Sequence, residues 1–424
     1  MSTTKAIIID DDPEEAFYII DALSRLSISS IVYNGSPELL PTKPVLGFRI
    51  LFLDFNLGDT DGADTKTMMS KVYAVLKKVI SQNSPYILFV WSKKTAQDER
   101  TEILDQLGKF LEENNISPVT NMIDLDKSEF LSKDYNEKAD FINKKLTDVL
   151  SKSGIFYFFL LWENLIATAA ASSIDRVMSS ATKGTDWDNE ISKIIFQLGK
   201  AYLGKNTDIS NVPQVVKGSM HTLNGVLIDM IENGIRSTEG LDSVSVTEED
   251  ISPEISSKIN SSLLLIDDIS LDVLPGNLYE QKPEDTNFDK NYWQNVIKDT
   301  FKSLGEEKMQ ELFVSSQFYF LEVSPACDYA QQKQRTNRLL PMLCFPYKFA
   351  KQLKNNAEYS YTPNTYFFLK DGIVGFVFDL RRFKSIPCEE LAGKESSLRI
   401  RTELLVVIQQ KVSNHISRFG FTSL

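Results

Sequence analysis

The chain has 424 residues, 42% hydrophobic and 25% charged, with a formal net charge of −12. That length predicts two or three domains, and the balance excludes a wholly disordered chain. The acidic sum excludes a protein whose entire surface grips nucleic acid, and three dispersed cysteines, Cys327, Cys344 and Cys388, exclude a disulfide framework or a CxxC zinc site.

Taken in chain order, the first 130 residues alternate strand-like and helix-like text. Ala6 to Ile9 is apolar and stops at Asp10, Asp11 and Asp12. Glu14 to Leu26 carries apolar residues at helical spacing, and Ser29 to Tyr33 is a second strand. Ile50 to Leu53 stops at Asp54, followed by Asn56 and the turn Asp59 to Gly62. Thr65 to Ile80 is an amphipathic helix, Ile87 to Trp91 is a strand ending at Ser92, Thr101 to Asn114 is a helix, and Pro118 to Leu125 is a fifth strand. Short apolar runs that each end at a polar residue predict buried parallel strands delivering side chains to one sheet edge, where open α/β sheets bind ligands.

Residues 136–237 read as helices. Within them Ile155 to Ala171 is almost wholly apolar, but Glu163 and Asn164 interrupt it, so it reads as a buried helix and no membrane span is expected. His221 is a lone histidine on such a helix, read as packed or partly exposed. Residues 238–258 read as a linker. Residues 259–424 mix strands (262–269, 318–323, 365–369 and 374–380) with helices (291–304 and 397–419) in no regular alternation, which predicts an α+β domain. The fold class is therefore α/β: a doubly wound five-stranded parallel sheet over residues 1–135, a helical middle and a C-terminal α+β domain. The N-terminus carries no apolar leader, and a cytoplasmic location is expected.

The N-terminal third resembles the receiver (CheY-like) domain of two-component response regulators. The resemblance implies that Asp54 is the phosphoacceptor and that Asp10, Asp11, Asp54 and the Asn56 carbonyl hold Mg2+. Ser92 matches the hydroxyl residue ending the fourth strand and Lys127 the lysine after the fifth. It further implies a histidine kinase or small phosphodonor as partner, with a phosphorelay output. Ser128 stands where the family's proline follows the lysine, Asp124 occupies the position nearest the aromatic switch residue, and Trp91 is bulkier than usual before Ser92.

Two features mark the last domain. Ser324-Pro325 reads as a helix start with Ser324 as N-cap, placing Cys327 and Asp328 in a first turn where amide dipoles lower a thiol's pKa. Between Asp328 and Glu358 no acidic residue occurs, while Lys333, Arg335, Arg338, Lys348, Lys351 and Lys354 do, interleaved with Phe345, Tyr347 and Phe349; Arg381, Arg382 and Lys384 follow. Such segregation fits an anion- or RNA-facing surface, a docking surface for the acidic receiver, or a solvated face. The sequence thus leaves three functions open: a receiver controlling an output module, an effector with nucleic-acid binding or nuclease activity under receiver control, and a scaffold with a degenerate receiver. Partner contact or self-association is expected through the helical region.

Overall fold

The computed structural model describes residues 5–36, 38–55, 57, 65–81, 84–92, 97–114, 116, 119–152, 154–181, 186–204, 210–239, 244, 247–267, 271–302, 304–330, 333–354, 359–370 and 372–417. The chain divides into two compact units, Met1–Arg176 with Leu227–Thr247, and Val177–Val226 with Glu248–Leu424.

The first unit begins with β1 (Ala6–Ile9), α1 (Pro13–Arg25), β2 (Ser30–Tyr33), β3 (Ile50–Asp54), α2 (Thr65–Val79), β4 (Tyr86–Ser92), α3 (Gln97–Glu113) and β5 (Val119–Asp126). The strands form one sheet in the order β2-β1-β3-β4-β5, every pair parallel. That is the flavodoxin-like order of doubly wound folds, the order receivers share. The strands read as unbroken apolar runs because both faces are covered. Ile7, Ile9, Leu51, Leu53, Leu88 and Val90 pack with α2 and α3 on one face. Ile8, Phe52, Phe89 and Trp91 pack on the other with α1 and with α5 (Tyr135–Lys152), which follows the short α4 (Lys127–Leu131).

The next helix, α6 (Gly154–Met178), departs from the expectation of a buried helix. Only Phe156, Ala169 and Ser173 are buried along it, although it is long and apolar enough to cross a membrane by length and composition. It is fixed at its polar interruption: Glu163 pairs with Lys5 at 3.1 Å and with Arg49, two residues just before β1 and β3. The interruption that read as a mark of core packing is a tether to the amino edge of the sheet.

α7 (Trp187–Leu203) and α8 (Val212–Arg236) follow. They approach closely because Gly199 has no side chain; a Cβ there would sit 2.4 Å from the Val215 carbonyl oxygen. Ser219 and Thr222 then donate across to the carbonyls of Ile195 and Leu198, at 2.7 and 2.8 Å. His221 is exposed and stacks on Tyr202, with ring centroids 4.5 Å apart.

The second unit closes the chain with α9 (Pro253–Leu264), β6 (Leu265–Ile266), β7 (Asn277–Glu280), α10 (Lys290–Thr300), α11 (Glu306–Val314), β8 (Gln317–Glu322), α12 (Ala326–Ala330), β9 (Thr336–Pro346), β10 (Ser360–Tyr361), β11 (Phe367–Leu369), β12 (Gly372–Asp379), β13 (Lys384–Pro387), β14 (Leu398–Ile400) and α13 (Thr402–Ile416). The strands form one antiparallel sheet with the path β10-β12-β9-β8-β7-β14-β6. Leu404, Leu405, Ile408 and Val412 of α13 pack on one face, and Trp293, Val296 and Ile297 of α10 join Phe318, Leu343 and Phe345 on the other.

Two sequence expectations shift here. The strand expected over 262–269 is shorter: residues 262–264 complete α9, which the Ser252-Pro253 signal starts with the Ser252 hydroxyl accepting from Ile255 N at 3.2 Å, Leu265–Ile266 are strand, and 268–269 lie outside the described residues. The basic stretch after Asp328 contains β9, the strand joined to β8, β12 and β13. Pro341 is tolerated inside it because β13 pairs only as far as Leu339 and β12 begins at Met342, so its missing N–H falls in the gap.

Candidate functional site

The carboxyl ends of β1, β3, β4 and β5 converge, and the local sequence explains how each side chain arrives. Asp10 follows β1 directly, its N–H held by the Tyr33 carbonyl at 3.0 Å. Asp12 turns the chain into α1: its carboxylate accepts from Glu14 N at 2.9 Å and Glu15 N at 3.3 Å, and Pro13 occupies the first helical position. Asp54 is the last residue of β3 and Ser92 the last of β4, in register with Asp126 of β5. Asp126 caps α4 through Ser128 N at 2.8 Å, and this cap makes Lys127 the first residue of that helix. The turn after β5 is thereby fixed by a capping carboxylate, without a proline at 128.

Lys127 is the centre of the arrangement. Its ammonium, 2% exposed with the side chain folded into the site, lies 3.0 Å from Asp10 Oδ2 and 2.7 Å from Asp54 Oδ2, and it also pairs with Glu15. Ligand oxygens of Asp10, Asp11 and Asp54 all lie within 4.8 Å of one another. Asp10 and Asp54 are buried, whereas Asp11 is exposed. Burial raises the Asp10 carboxyl above its ordinary range, against the lowering effect of its hydrogen bonds and of Lys127. Burial alone depresses the Lys127 ammonium, but hydrogen bonds to Asp54 and Glu15 and the charges of Asp54 and Asp10 outweigh it and raise its pKa. Among the described residues here, three carboxylates thus meet one ammonium, and Asp11 adds a fourth carboxylate beside them. A divalent cation with a preference for hard oxygen ligands offsets that imbalance, so the donor set fits Mg2+.

The structure brings Asp10, Asp11, Asp54 and Lys127 together at the carboxyl edge of the sheet. Asn56 lies outside the described residues, and the position of Ser92 is described only at its backbone. Two participants were missed. Trp91 donates its indole N–H to Asp10 Oδ2 at 2.7 Å, and its ring lies 5.1 Å from the Lys127 ammonium. Glu15 reaches Lys127 from the first turn of α1. The signal for Glu15 was its place in that capped first turn; for Trp91 it was a polar-edged side chain in a strand with both faces buried.

The C-terminal candidates fall out differently. Ser324 is not an N-cap. It is buried, donates its hydroxyl to Glu322 and accepts from Arg338 N at 3.0 Å, because the β8–β9 ladder continues past Glu322. The helix starts at Ala326 and spans five residues; Cys327 is exposed, its Sγ 3.9 Å from Asp328 Oδ1. Arg335 and Arg338 are exposed, but Phe345 and Phe349 are core residues and offer no ring for stacking. Arg381 pairs with Asp379 and Asp299 at 2.9 and 2.6 Å, and Lys348 with Glu311 at 2.7 Å. A cleft of about 1080 Å3 also opens in this unit, lined by Tyr279, Tyr292, Phe320, Arg382, Lys384 and Lys394 among others.

No protein-family model and no curated protein matches the chain. Among solved structures, full-length FixJ from B. japonicum aligns at 11% identity and a TM-score of 0.21, covering 52% of this chain and 98% of that one. A fusion carrying the yeast Spc42 trimeric coiled coil, amino acids 181–211, aligns at 12% identity and a TM-score of 0.19, covering 38% and 88%.

Proposed function

We propose that the N-terminal domain accepts a phosphoryl group on Asp54 in a Mg2+-dependent reaction, and that the new charge controls the rest of the chain. The observation that carries this reading is the trio of carboxylates within 4.8 Å of one another at the carboxyl edge of a receiver-like sheet, with Lys127 seated between Asp10 and Asp54.

An Asp54 carboxylate oxygen attacks phosphorus, forming an acyl phosphate. The bond from phosphorus to the donor breaks, and its electron pair leaves with the donor: acetate from acetyl phosphate, or an imidazole that takes up a proton from phosphohistidine. Asp10, Asp11 and Asp54 are the side chains that hold the cation, which when bound neutralises charge on the phosphoryl oxygens. Lys127 keeps an ammonium beside Asp54 Oδ2, where those oxygens arrive. Ser92 remains in the reading as the hydroxyl partner because it ends β4 opposite Asp126. Trp91 and the Asp12 N–H, 2.9 Å from Asp10 Oδ1, fix the Asp10 carboxylate from two sides. The added dianionic group then biases how the domain contacts its partners, by the same rules that govern any phosphorylation.

The test is the intact mass of the full chain after incubation with acetyl phosphate and Mg2+. A single phosphoryl adduct, labile to hydroxylamine and absent from Asp54→Ala, is expected. No adduct from either acetyl phosphate or phosphoramidate contradicts the reading and leaves a scaffold with a degenerate receiver.

A further inference from the structure

We propose that Glu15 is a positioning residue: it is the counter-ion that keeps Lys127 at the acidic site while a divalent cation occupies the same site. The inference rests on the reading of Asp54 as a Mg2+-dependent phosphoacceptor, and it gives a role to a residue that reading does not use.

An ammonium has three N–H groups, and three carboxylates surround that of Lys127: Asp10 Oδ2 at 3.0 Å, Asp54 Oδ2 at 2.7 Å, and Glu15. The three are not equivalent. Asp10 and Asp54 belong, with Asp11, to the group whose ligand oxygens lie within 4.8 Å of one another, and Glu15 stands outside that group. Asp10 is also the most heavily used. Its Oδ1 accepts from Asp12 N at 2.9 Å, and its Oδ2 accepts from the Trp91 indole at 2.7 Å as well as from Lys127. Once Asp10 and Asp54 are shared with a dication, their hold on Lys127 weakens and the two cations repel. Glu15 is the carboxylate of the three that the cation does not draw on. The Trp91 ring, 5.1 Å from the ammonium, adds attraction but no net charge.

The local sequence puts Glu15 in place. Asp12 caps α1 through Glu14 N and Glu15 N, with Pro13 at the first helical position, so the turn that carries Glu15 is fixed opposite the start of α4. Glu15 and Lys127 are both buried, and a buried ion pair is strongly destabilised by loss of either partner. Lys127 also has a way out. The Asp126 cap holds its backbone, but its four-carbon stem is flexible, and the neighbouring Asp11 is exposed, so the site opens to solvent there. With Glu15 present the ammonium stays beside Asp54 Oδ2, and both positive charges face the incoming phosphoryl oxygens. Without it, a cation in the site displaces Lys127 into solvent.

The experiment is acetylation of the full chain with N-hydroxysuccinimide acetate, with and without Mg2+, read by mass spectrometry of the peptide that carries Lys127. Calorimetry sets the Mg2+ concentration that saturates each variant. Wild type is expected to protect Lys127 in both conditions. In Glu15→Gln, which keeps the size of the side chain and removes its charge, Mg2+ is expected to raise Lys127 labelling at least ~10-fold, the shift that loss of one charge-assisted hydrogen bond produces. Glu15→Met is the second variant should Glu15→Gln misfold, and far-UV circular dichroism checks both. The sign separates positioning from a merely structural role. A variant that is only less stable is labelled through unfolding, and Mg2+, by favouring the folded state, lowers that labelling. Labelling of both variants that Mg2+ leaves unchanged or lowers, wild-type labelling that rises with Mg2+, or loss of Mg2+ binding from wild type or from both variants overturns the proposal. The readout needs no phosphoryl transfer. The expected labelling pattern without an adduct at Asp54 would sink the phosphoacceptor reading alone. An adduct at Asp54 with Lys127 protected in every variant would sink the role of Glu15 alone.

Discussion

Replacing Lys127 by Met keeps the length of the side chain and removes its charge, and the consequences follow from the geometry of the site. Lys127 is 2% exposed and contacts three carboxylates, those of Asp10, Glu15 and Asp54. Removing one partner from a buried ionic cluster leaves uncompensated charge and costs about 3–5 kcal/mol. With a urea slope of about 2 kcal/mol/M for a domain of this size, the midpoint of the N-terminal unit should fall by about 2 M. The deficit should shrink in two ways. Loss of the ammonium leaves more negative charge for Mg2+, and a dissociation constant 100-fold tighter than that of wild type returns about 2.7 kcal/mol of the difference. Lowering the pH also helps, because carboxylates left without a cation rise in pKa and take up protons in the native state first. The assay is urea unfolding of the full chain, with and without Mg2+, between about pH 5 and 8. A Lys127→Met midpoint equal to wild type, insensitive to Mg2+ and pH, would refute the claim that this lysine neutralises a buried acidic cluster.

Further outcomes follow from other parts of the fold. Trp91→Phe preserves an aromatic ring but removes the N–H held 2.7 Å from Asp10, and should cost about 1.5–3 kcal/mol in urea unfolding, the value of a hydrogen bond to a charged group. In the C-terminal unit, burial raises the Glu322 carboxyl above the ordinary carboxylate range. The native state then keeps a proton that the unfolded chain releases, so this stabilising contribution is complete below the unfolded pKa and is lost as pH rises through the native one. Glu322→Gln should flatten that slope in stability measured across the same span. Gly375 lies opposite Phe345, and a Cβ there would meet the ring at 2.4 Å. Gly375→Ala should therefore lower stability by about 1–3 kcal/mol through overpacking, read as a fall in thermal midpoint.

Much of the N-terminal domain was legible because local and global signals agree there. Each strand is buried on both faces, so its text is an unbroken apolar run, and each run stops where a polar side chain emerges at the carboxyl edge. The second unit gave weaker signals. β9 carries Pro341 and follows a run of cations, features that ordinarily speak against a central strand; only the gap between its two partners makes the proline acceptable. Ser324-Pro325 and Ser252-Pro253 are the same dipeptide with different outcomes. Ser252 is free to cap, whereas Ser324 is held by Glu322 and by the Arg338 N–H, a tertiary contact invisible in the local sequence. α6 misled for a related reason: its composition marks an apolar helix but does not say which of its residues the rest of the fold covers.

The site of phosphorylation is the central claim, and borohydride reduction tests it most directly. Full-length protein treated with acetyl phosphate and Mg2+ is reduced with borohydride, which converts an aspartyl phosphate to homoserine, and is then digested and sequenced by mass spectrometry. The account predicts homoserine at position 54, dependent on both acetyl phosphate and Mg2+. Homoserine at Asp10, Asp11 or elsewhere, or none under conditions that preserve the fold, would contradict it.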